Sequence, residues 1–255
     1  MRIIISILCI TIIAVLLIKN PLKEKPHSSN EGSLQSLQHP QEPQEDDRII
    51  IPDLFVPDVI PSITNGEKKP ETQIDKLVFG AVEQLGVTNS YNGAYQKLSY
   101  PNGDVDISTG VCTDVVIRAF RAIDIDLQKN IHQDMSRHFR KYPRKWGLKS
   151  PDKNIDHRRV PNMEAYFTRK GYKLPVDTST DMEHYQSGDL VVWKISGNLT
   201  HIGIVSDEIV PNTSRYFIIH NPIQGVEISD WLNEFEIINH FRVLNSQFNQ
   251  ASNDN

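Results

Sequence analysis

GVCTDVVIRAF, residues 110–120, is the stretch around which the sequence is organised, and it predicts a helix that begins at or near Cys112. The turn-forming sequence PNGD, residues 101–104, comes shortly before it. Apolar residues then recur at the spacing of a helix with one buried face, namely Val115, Val116, Ala119, Phe120 and Ile123. In the first turn of a helix, unpaired backbone N–H groups and the helix dipole favour a thiolate. We therefore expect the Cys112 thiol to ionise more easily than a free thiol, unless it is a small buried residue that fills a gap.

The composition fits one catalytic-sized domain with extensions. The chain has 255 residues, a formal charge of -5 and an isoelectric point near 6, so we predict no nucleic-acid partner. It contains two cysteines, and Cys9 lies in an apolar N-terminal run. The folded domain therefore holds one thiol, Cys112, without a disulfide partner. In an oxidising compartment, such a thiol is expected to be either buried or a functional group of the protein.

The N-terminal run, residues 3–18, is almost wholly apolar and is flanked by Arg2 and Lys19. Its length of about 16 residues suits a signal sequence or a short membrane anchor. Because no small-x-small cleavage site follows it, we predict that residues 1–19 form an uncleaved signal-anchor. The domain would then be held at the inner membrane of a cell envelope, facing the periplasm or the exterior. The alternative is a cleaved signal peptide and a secreted protein.

Residues 20–71 are rich in Pro, Gln, Glu and Ser, show no sustained period and predict a disordered linker. Two apolar patches in this linker, residues 49–51 and 54–56, either dock on the domain or remain part of the tether. We assign the folded domain to residues 72–246 and a polar tail to residues 247–255.

Helices are predicted first in the folded domain and strands afterwards. Residues 74–85 and 161–170 have the pattern of short helices that end at a glycine. The helix that carries Cys112 is expected to end near Asp124. Three later runs are rich in β-forming residues, at positions 190–194, 201–205 and 216–220. Three such strands in succession predict an antiparallel meander, and the fold class is therefore α+β.

Two histidines lie at the ends of these strands. His201 opens the second strand and His220 closes the third, so antiparallel pairing could bring the two imidazoles together. A helix packed on the sheet could present Cys112 to them, which is the Cys–His arrangement of nucleophilic catalysis. Taken alone, each histidine is more often a surface or packing residue. The chain has no HExxH motif and no close Cys/His pair, so we predict no metal site and no cofactor.

Four motifs, in this order, resemble the NlpC-type branch of the papain-like cysteine peptidases. They are GVCTDVVIRAF, GDLVVW at 188–193, HIGIV at 201–205 and IIHN at 218–221. The segment from about Tyr95 to Arg242 is more closely similar to the YijF-like family of bacterial proteins, a domain of unknown function. The motifs that carry this closer resemblance also include YPNGD at 100–104, NIDHRRVPN at 154–162 and the closing NHFR at 239–242.

The resemblance implies a papain-like, NlpC-type fold, in which N-terminal helices include a nucleophile helix packed on an antiparallel sheet. Cys112 matches the nucleophile, His201 the base and His220 the orienting residue, with Asn221 as the alternative third residue. The implied chemistry is attack of the thiolate on an amide carbonyl, protonation of the leaving amine by His201 and hydrolysis of the thioester. The backbone N–H of Cys112 would stabilise the oxyanion.

Four residues are candidates for substrate binding: Tyr95, His157, Arg158 and Arg159. An arginine presents a planar fork to a substrate carboxylate, although a solvated or internally salt-bridged turn is the alternative for this basic triplet. NlpC-type enzymes commonly cut bacterial cell-wall peptides, so the resemblance implies a cell-envelope cysteine hydrolase acting on peptidoglycan peptides or a related amide. The alternatives are an acyltransferase or transglutaminase-like activity on the same fold and a catalytically silent envelope-binding module.

Overall fold

Helices precede the main β-sheet in the computed structural model, which describes residues 69–179, 182–197 and 199–244. The α-helices are α1 (Gln73–Val82), α2 (Cys112–Arg121), α3 (Leu127–His138) and α4 (Val160–Arg169), with 3-10 turns at Phe139–Lys141 and Asp156–Arg158. None of the helices in these described ranges is long and apolar enough to cross a bilayer. The predicted signal-anchor, nearly all of the predicted linker and the polar tail lie outside the described residues.

The strands form one small and one large sheet. The strands β1 (Ser90–Tyr91) and β2 (Thr109–Gly110) pair in parallel. The large sheet contains β3 (Lys173–Leu174), β4 (Leu190–Ser196), β5 (Leu199–Ile209), β6 (Tyr216–His220), β7 (Glu227–Ser229) and β8 (Glu236–Phe241). Its order is β3-β8-β4-β5-β6-β7, with antiparallel pairing throughout. The predicted α+β class and the β4-β5-β6 meander are confirmed.

Several elements were not expected from the sequence, namely α3, β8 and the short strands β1, β2, β3 and β7. Helix α3 lies in a stretch that reads as polar, and its buried apolar residues are only Leu127, Ile131 and Met135, one per turn. Asp126 caps this helix by accepting a hydrogen bond from the N–H of Lys129 at 3.2 Å. Strand β8 inserts between β3 and β4, a pairing between distant parts of the chain that local sequence does not specify.

Helix α2 is buried on every side, whereas the sequence predicted one buried face. All residues from Cys112 to Phe120 are buried, because α1 packs on one side of the helix and β5 and β6 on the other. The contact with α1 is close: a Cβ at Gly80 would lie 2.5 Å from the Cβ of Ala122. At the start of α2, Asp114 accepts a hydrogen bond from the N–H of Val111 at 2.7 Å and so supplies the cap that Val111 cannot.

The large sheet separates two groups of buried side chains. Val192 and Ile202 belong to the main core, which the helices share. Trp193 and Trp231 belong to a smaller group on the other face. His201 lies opposite Trp193 in the β4–β5 register, so its side chain shares the face of the two tryptophans. At the start of β5, the side chain of His201 therefore lies on the face of the two tryptophans, and that of Ile202 lies on the face that the helices cover.

Candidate active site

Cys112 is the first residue of α2, as predicted, and it is 4% exposed. The backbone N–H groups of Ile202, Thr113 and Cys112 itself act on its sulfur and favour the thiolate. Ile202 follows His201 in β5, so the sulfur lies against the start of the strand that carries the candidate base. The fold thus brings the thiol and His201 to the same end of the sheet.

Burial nevertheless raises the pKa of the Cys112 thiol to about 11, and the carboxylate of Asp114 adds to the increase. The N–H groups at the helix start lower this pKa, but they offset only part of the cost of removing a thiolate from water. The expectation that Cys112 ionises more easily than a free thiol is therefore wrong for this enclosed site. The sequence indicated the helix terminus but not the depth at which it is buried.

His201 and His220 are in direct contact, as the antiparallel pairing predicted. Nε2 of His201 lies 2.7 Å from Nδ1 of His220, and the two rings meet edge to face with centroids 5.0 Å apart. Trp231 packs on both rings, with centroids 4.5 Å from His220 and 5.7 Å from His201. Burial lowers the pKa of both imidazoles, and His220 lowers that of His201 further. Both rings are therefore neutral at neutral pH.

Two residues of β7 complete the surroundings of His220, and the sequence analysis missed both. Nε2 of His220 lies 2.7 Å from the hydroxyl oxygen of Ser229 and 3.5 Å from Oε1 of Glu227. The Glu227 carboxylate opposes the effect of burial by raising the pKa of His220. In the β6–β7 register Glu227 lies opposite His220, so this pairing was the signal that could have found the two residues.

Asn221, the alternative third residue, serves another purpose. Its side-chain amide donates hydrogen bonds to the carbonyl oxygens of Gly110 at 3.1 Å and Ser90 at 3.4 Å. It therefore links the end of β6 to the β1–β2 pair, whose second strand ends two residues before Cys112. Tyr91, in the same pair, is 45% exposed, and the pKa of its hydroxyl is raised by partial desolvation and by the charges of Cys112 and Asp114.

Arg158 is engaged inside the protein, which was the alternative to its predicted role as a substrate ligand. Its guanidinium donates to the carboxylate of Asp114 through Nε and Nη2, each at 2.9 Å, and both side chains are buried. Nη2 also donates to the carbonyl oxygen of Asn92 at 2.9 Å. The hydroxyl of Thr113 donates to the carbonyl oxygen of Arg158 at 2.9 Å. The turn Asp156–Arg158 is therefore clamped to the first turn of α2.

His157 is 2% exposed, and burial, followed by the charge of Arg158, lowers its pKa to about 3. The other two candidate substrate residues are more open. The guanidinium of Arg159 lies 4.0 Å from the ring centroid of Trp146 and 3.3 Å from Oδ1 of Asp156.

Tyr95 is 50% exposed. Its hydroxyl donates to Asp152 at 3.0 Å and accepts from Asn154 at 2.9 Å. These contacts of Tyr95 and Arg159 are with residues of the 146–156 region. Within residues 69–179, 182–197 and 199–244, no three His, Cys, Asp or Glu side chains converge as metal ligands would.

Comparison with known proteins supports the resemblance to a bacterial family. Residues 78–243 match the family described as domain of unknown function DUF1287. Over 166 residues the chain is 47% identical to "Uncharacterized protein YijF" of Escherichia coli (strain K12). The aligned region covers 65% of this chain and 80% of that protein. No solved structure matches the chain. The protein therefore belongs to the DUF1287 family and is similar to YijF, as its motifs predicted.

Proposed function

We propose that the protein is a cell-envelope cysteine hydrolase with a papain-like, NlpC-type fold, which cleaves an amide bond through a thioester on Cys112. The observation that carries this proposal is the convergence of three groups. The Cys112 thiol starts a buried helix, the backbone N–H of Ile202 lowers its pKa, and His201 precedes Ile202 with its imidazole on His220. A nucleophile, a base and an orienting group are the requirements of acyl transfer by cysteine. Here His201 contacts His220, and the thiol lies against the next residue of the same strand, Ile202.

The hydrogen bond between His201 and His220 indicates which nitrogen of His201 can act as the base. Nε2 is engaged by His220, so Nδ1 is the nitrogen that can serve Cys112. Because burial disfavours both the thiolate and the imidazolium, we propose a resting pair of neutral thiol and neutral imidazole. The thiol proton then passes to Nδ1 of His201 as the sulfur bonds to the carbonyl carbon.

The remaining steps return the enzyme to its starting state. His201 gives its proton to the amine as the carbon–nitrogen bond breaks, which leaves a thioester. Water then attacks the thioester while His201 accepts a proton from it. As the carbon–sulfur bond breaks, His201 returns this proton to the sulfur, which releases the acid and restores the Cys112 thiol. The backbone N–H of Cys112 is a donor for the oxyanion, and the hydroxyl of Tyr91 is our candidate for the second donor.

The proposed substrate is a peptidoglycan peptide, or a related amide. This follows from the NlpC-type motifs and from the predicted anchor at residues 3–18, which would hold the domain in the envelope near such a substrate. Arg159 and Tyr95 remain the candidates for contact with it, because their side chains are partly or half exposed. Arg158 and His157 are buried, and we propose that they support α2 instead.

One observation favours the alternative of a catalytically silent binding module. The Cys112 thiol is enclosed, and its pKa is raised, so by itself it is a poor nucleophile at neutral pH. The proposal therefore depends on His201 as a base. A silent module would keep the fold and the buried thiol without turnover.

Incubation of the full-length protein with muropeptides, followed by mass spectrometry of the products, tests the proposal. We expect cleavage that falls at least about a thousandfold in Cys112→Ala. The variant Cys9→Ala is the matched control, because it removes the other cysteine and should keep full activity. Turnover retained in Cys112→Ala would overturn the nucleophile assignment, and amide products formed with an added amine would indicate acyl transfer instead of hydrolysis.

A further inference from the structure

We propose that Glu227 and Ser229 are positioning residues that fix the tautomer of His220 and, through it, the tautomer of His201. The inference rests on the proposed function, because it explains how His201 is held ready to accept the thiol proton. It assigns a role to β7, which none of the sequence motifs covers.

The geometry under His220 provides two acceptors on one side of the ring. The hydroxyl oxygen of Ser229 lies 2.7 Å from Nε2 of His220, a hydrogen-bond distance. Oε1 of Glu227 lies 3.5 Å from the same nitrogen, and within the described chain this buried oxygen has no other hydrogen-bond donor. The β6–β7 register places Ser229 opposite Ile218 and Glu227 opposite His220, so both follow from one strand pairing.

Counting donors and acceptors gives the direction of each hydrogen bond. To accept the thiol proton at Nδ1, His201 must carry its own hydrogen on Nε2 and donate it to Nδ1 of His220. His220 then accepts at Nδ1, so its hydrogen must be on Nε2. That hydrogen needs an acceptor, and Ser229 and Glu227 supply one.

The opposite arrangement is disfavoured by Glu227, because the hydroxyl of Ser229 can donate to Nε2 of His220 as well as accept from it. With its hydrogen on Nδ1, His220 would donate to His201 and leave a lone pair at Nε2 facing the Glu227 carboxylate. His201 would then carry its hydrogen on Nδ1 and could not act as a base towards Cys112. The described charged or titratable groups that face His220 are His201 from β5 and Glu227 from β7, and the Trp231 ring covers it from the segment that follows β7. The carboxylate is therefore the charged group that selects between the tautomers.

Histidine tautomers can be read directly from two-bond proton–nitrogen NMR correlations of the full-length protein labelled in its histidines. Variants His201→Gln and His220→Gln assign the signals. We expect hydrogen on Nε2 of both rings in the wild type, and a shift of His220 towards the Nδ1 form in Glu227→Leu/Ser229→Ala. If wild-type His220 carries its hydrogen on Nδ1, the inference is overturned without any variant of β7.

The matched control is Glu236→Leu/Ser206→Ala. Ser206 is a buried serine of the same sheet whose hydroxyl bonds within its own strand, β5, to the backbone of Glu208, and Glu236 is exposed on β8. This control should leave the tautomers unchanged. If the double variant of β7 fails to fold, Glu227→Gln alone gives the test, because it removes the negative charge and keeps the size of the side chain.

The rate of Cys112 alkylation by iodoacetamide, followed against pH, supplies a functional readout. A thiol assisted by an imidazole shows a plateau between the two pKa values of the pair. We expect the plateau to fall about tenfold in Glu227→Leu/Ser229→Ala, the effect of losing a hydrogen bond to a charged group. In His201→Ala the plateau should disappear.

The two proposals fail in different ways. If His201→Ala abolishes the plateau while the β7 double variant keeps both plateau and tautomers, the role of Glu227 and Ser229 is rejected and the hydrolase stands. If His201→Ala leaves the alkylation profile unchanged, the hydrolase is rejected, and the NMR result still decides whether β7 sets the tautomers.

Discussion

Two buried histidines on the large sheet have opposite surroundings. Nε2 of His240, in β8, lies 2.7 Å from the carboxylate of Asp189, and its Nδ1 faces the carbonyl oxygen of Pro175 at 3.3 Å. His220, in β6, faces a second imidazole on one side and Ser229 on the other. Both rings are at most 1% exposed, so the difference does not come from burial.

On our proposal, histidine fixes the structure at His240 and carries a proton at the pair of His201 and His220. Oxygen acceptors lie at both nitrogens of His240, and Arg242 grips the same Asp189 with two hydrogen bonds of 2.7 Å. Such a cluster holds β8 against the start of β4. An imidazole partner such as His201 can donate or accept, so a proton can pass along the pair. The first cluster should therefore matter for stability and the second for reactivity.

Replacing Asp189 is the strongest test of this contrast. In Asp189→Ala, Arg242 and His240 lose their carboxylate inside the protein, and we expect the free energy of unfolding to fall by about 3–5 kcal/mol. Chemical denaturation measures this loss, while the alkylation plateau of Cys112 in the folded fraction should stay as in the wild type. The control is Asp230→Ala, because the side chain of Asp230 is 35% exposed in its pair with Arg215 and should contribute at most about 1 kcal/mol. An equal loss of unfolding free energy in Asp189→Ala and Asp230→Ala would contradict the structural role of the Asp189 cluster.

A third buried histidine, His157, sharpens the comparison at low pH. Its folded pKa, about 3, lies below the ordinary value of 6.5, so the unfolded chain binds a proton first as the pH falls. The stability it contributes is present above pH 6.5 and is lost towards pH 3. Between pH 7 and pH 5 this loss should be about 2 kcal/mol, and His157→Gln should lack it.

Denaturation of both proteins at the two pH values measures the difference. Asp156 has a pKa raised to about 6 by burial and acts in the opposite sense, since its contribution is lost as the pH rises through 6. Asp156 is present in both proteins, so its contribution to the pH dependence cancels in the comparison if the substitution leaves its surroundings unchanged. Parallel pH dependence in wild type and His157→Gln would show that His157 titrates as an exposed histidine does.

The smallest effect on stability is expected for Arg159, whose guanidinium lies on the ring of Trp146. Arg242, which is bound to the buried carboxylate of Asp189, is the comparison. Arg159→Ala should lower the free energy of unfolding by at most about 1 kcal/mol, because it loses a stacking contact and a long ion pair. Trp146→Ala removes the same stacking contact and serves as the control. If Arg159 binds a substrate carboxylate, its replacement should also raise KM for muropeptides, whereas Trp146→Ala should raise KM less. A loss of several kcal/mol in Arg159→Ala would place it with Arg242 as a structural residue.

Local patterns in the sequence were sufficient for the parts of the fold that are local. Helices α1, α2 and α4 and strands β4 to β6 lie where periodicity predicted them, and antiparallel pairing of adjacent strands was enough to bring His201 to His220. Helix α3 was missed because it offers only one apolar residue per turn. Strand β8 was missed because its partners are β3 and β4, far back in the chain.

The properties that depend on depth and on distant partners could not be predicted. The position of Cys112 at a helix start was evident, but its raised pKa results from the elements that cover it. Arg158 reads as an exposed basic residue until Asp114, forty-four positions away, is found beside it. Glu227 and Ser229 lie outside every motif, and only the pairing of β7 with β6 brings them to His220.

The position of β8 has a consequence for biosynthesis. A domain emerges from the ribosome beginning at its N-terminus, and here the strand that lies between β3 and β4 is the last of the described strands to be made. Until residues 236–242 have emerged, β4 lacks a neighbour on one side and Asp189 lacks both His240 and Arg242. The sheet that covers Cys112 can therefore be completed only when translation of the domain is nearly finished, and a nascent chain stalled before β8 would carry an open sheet edge.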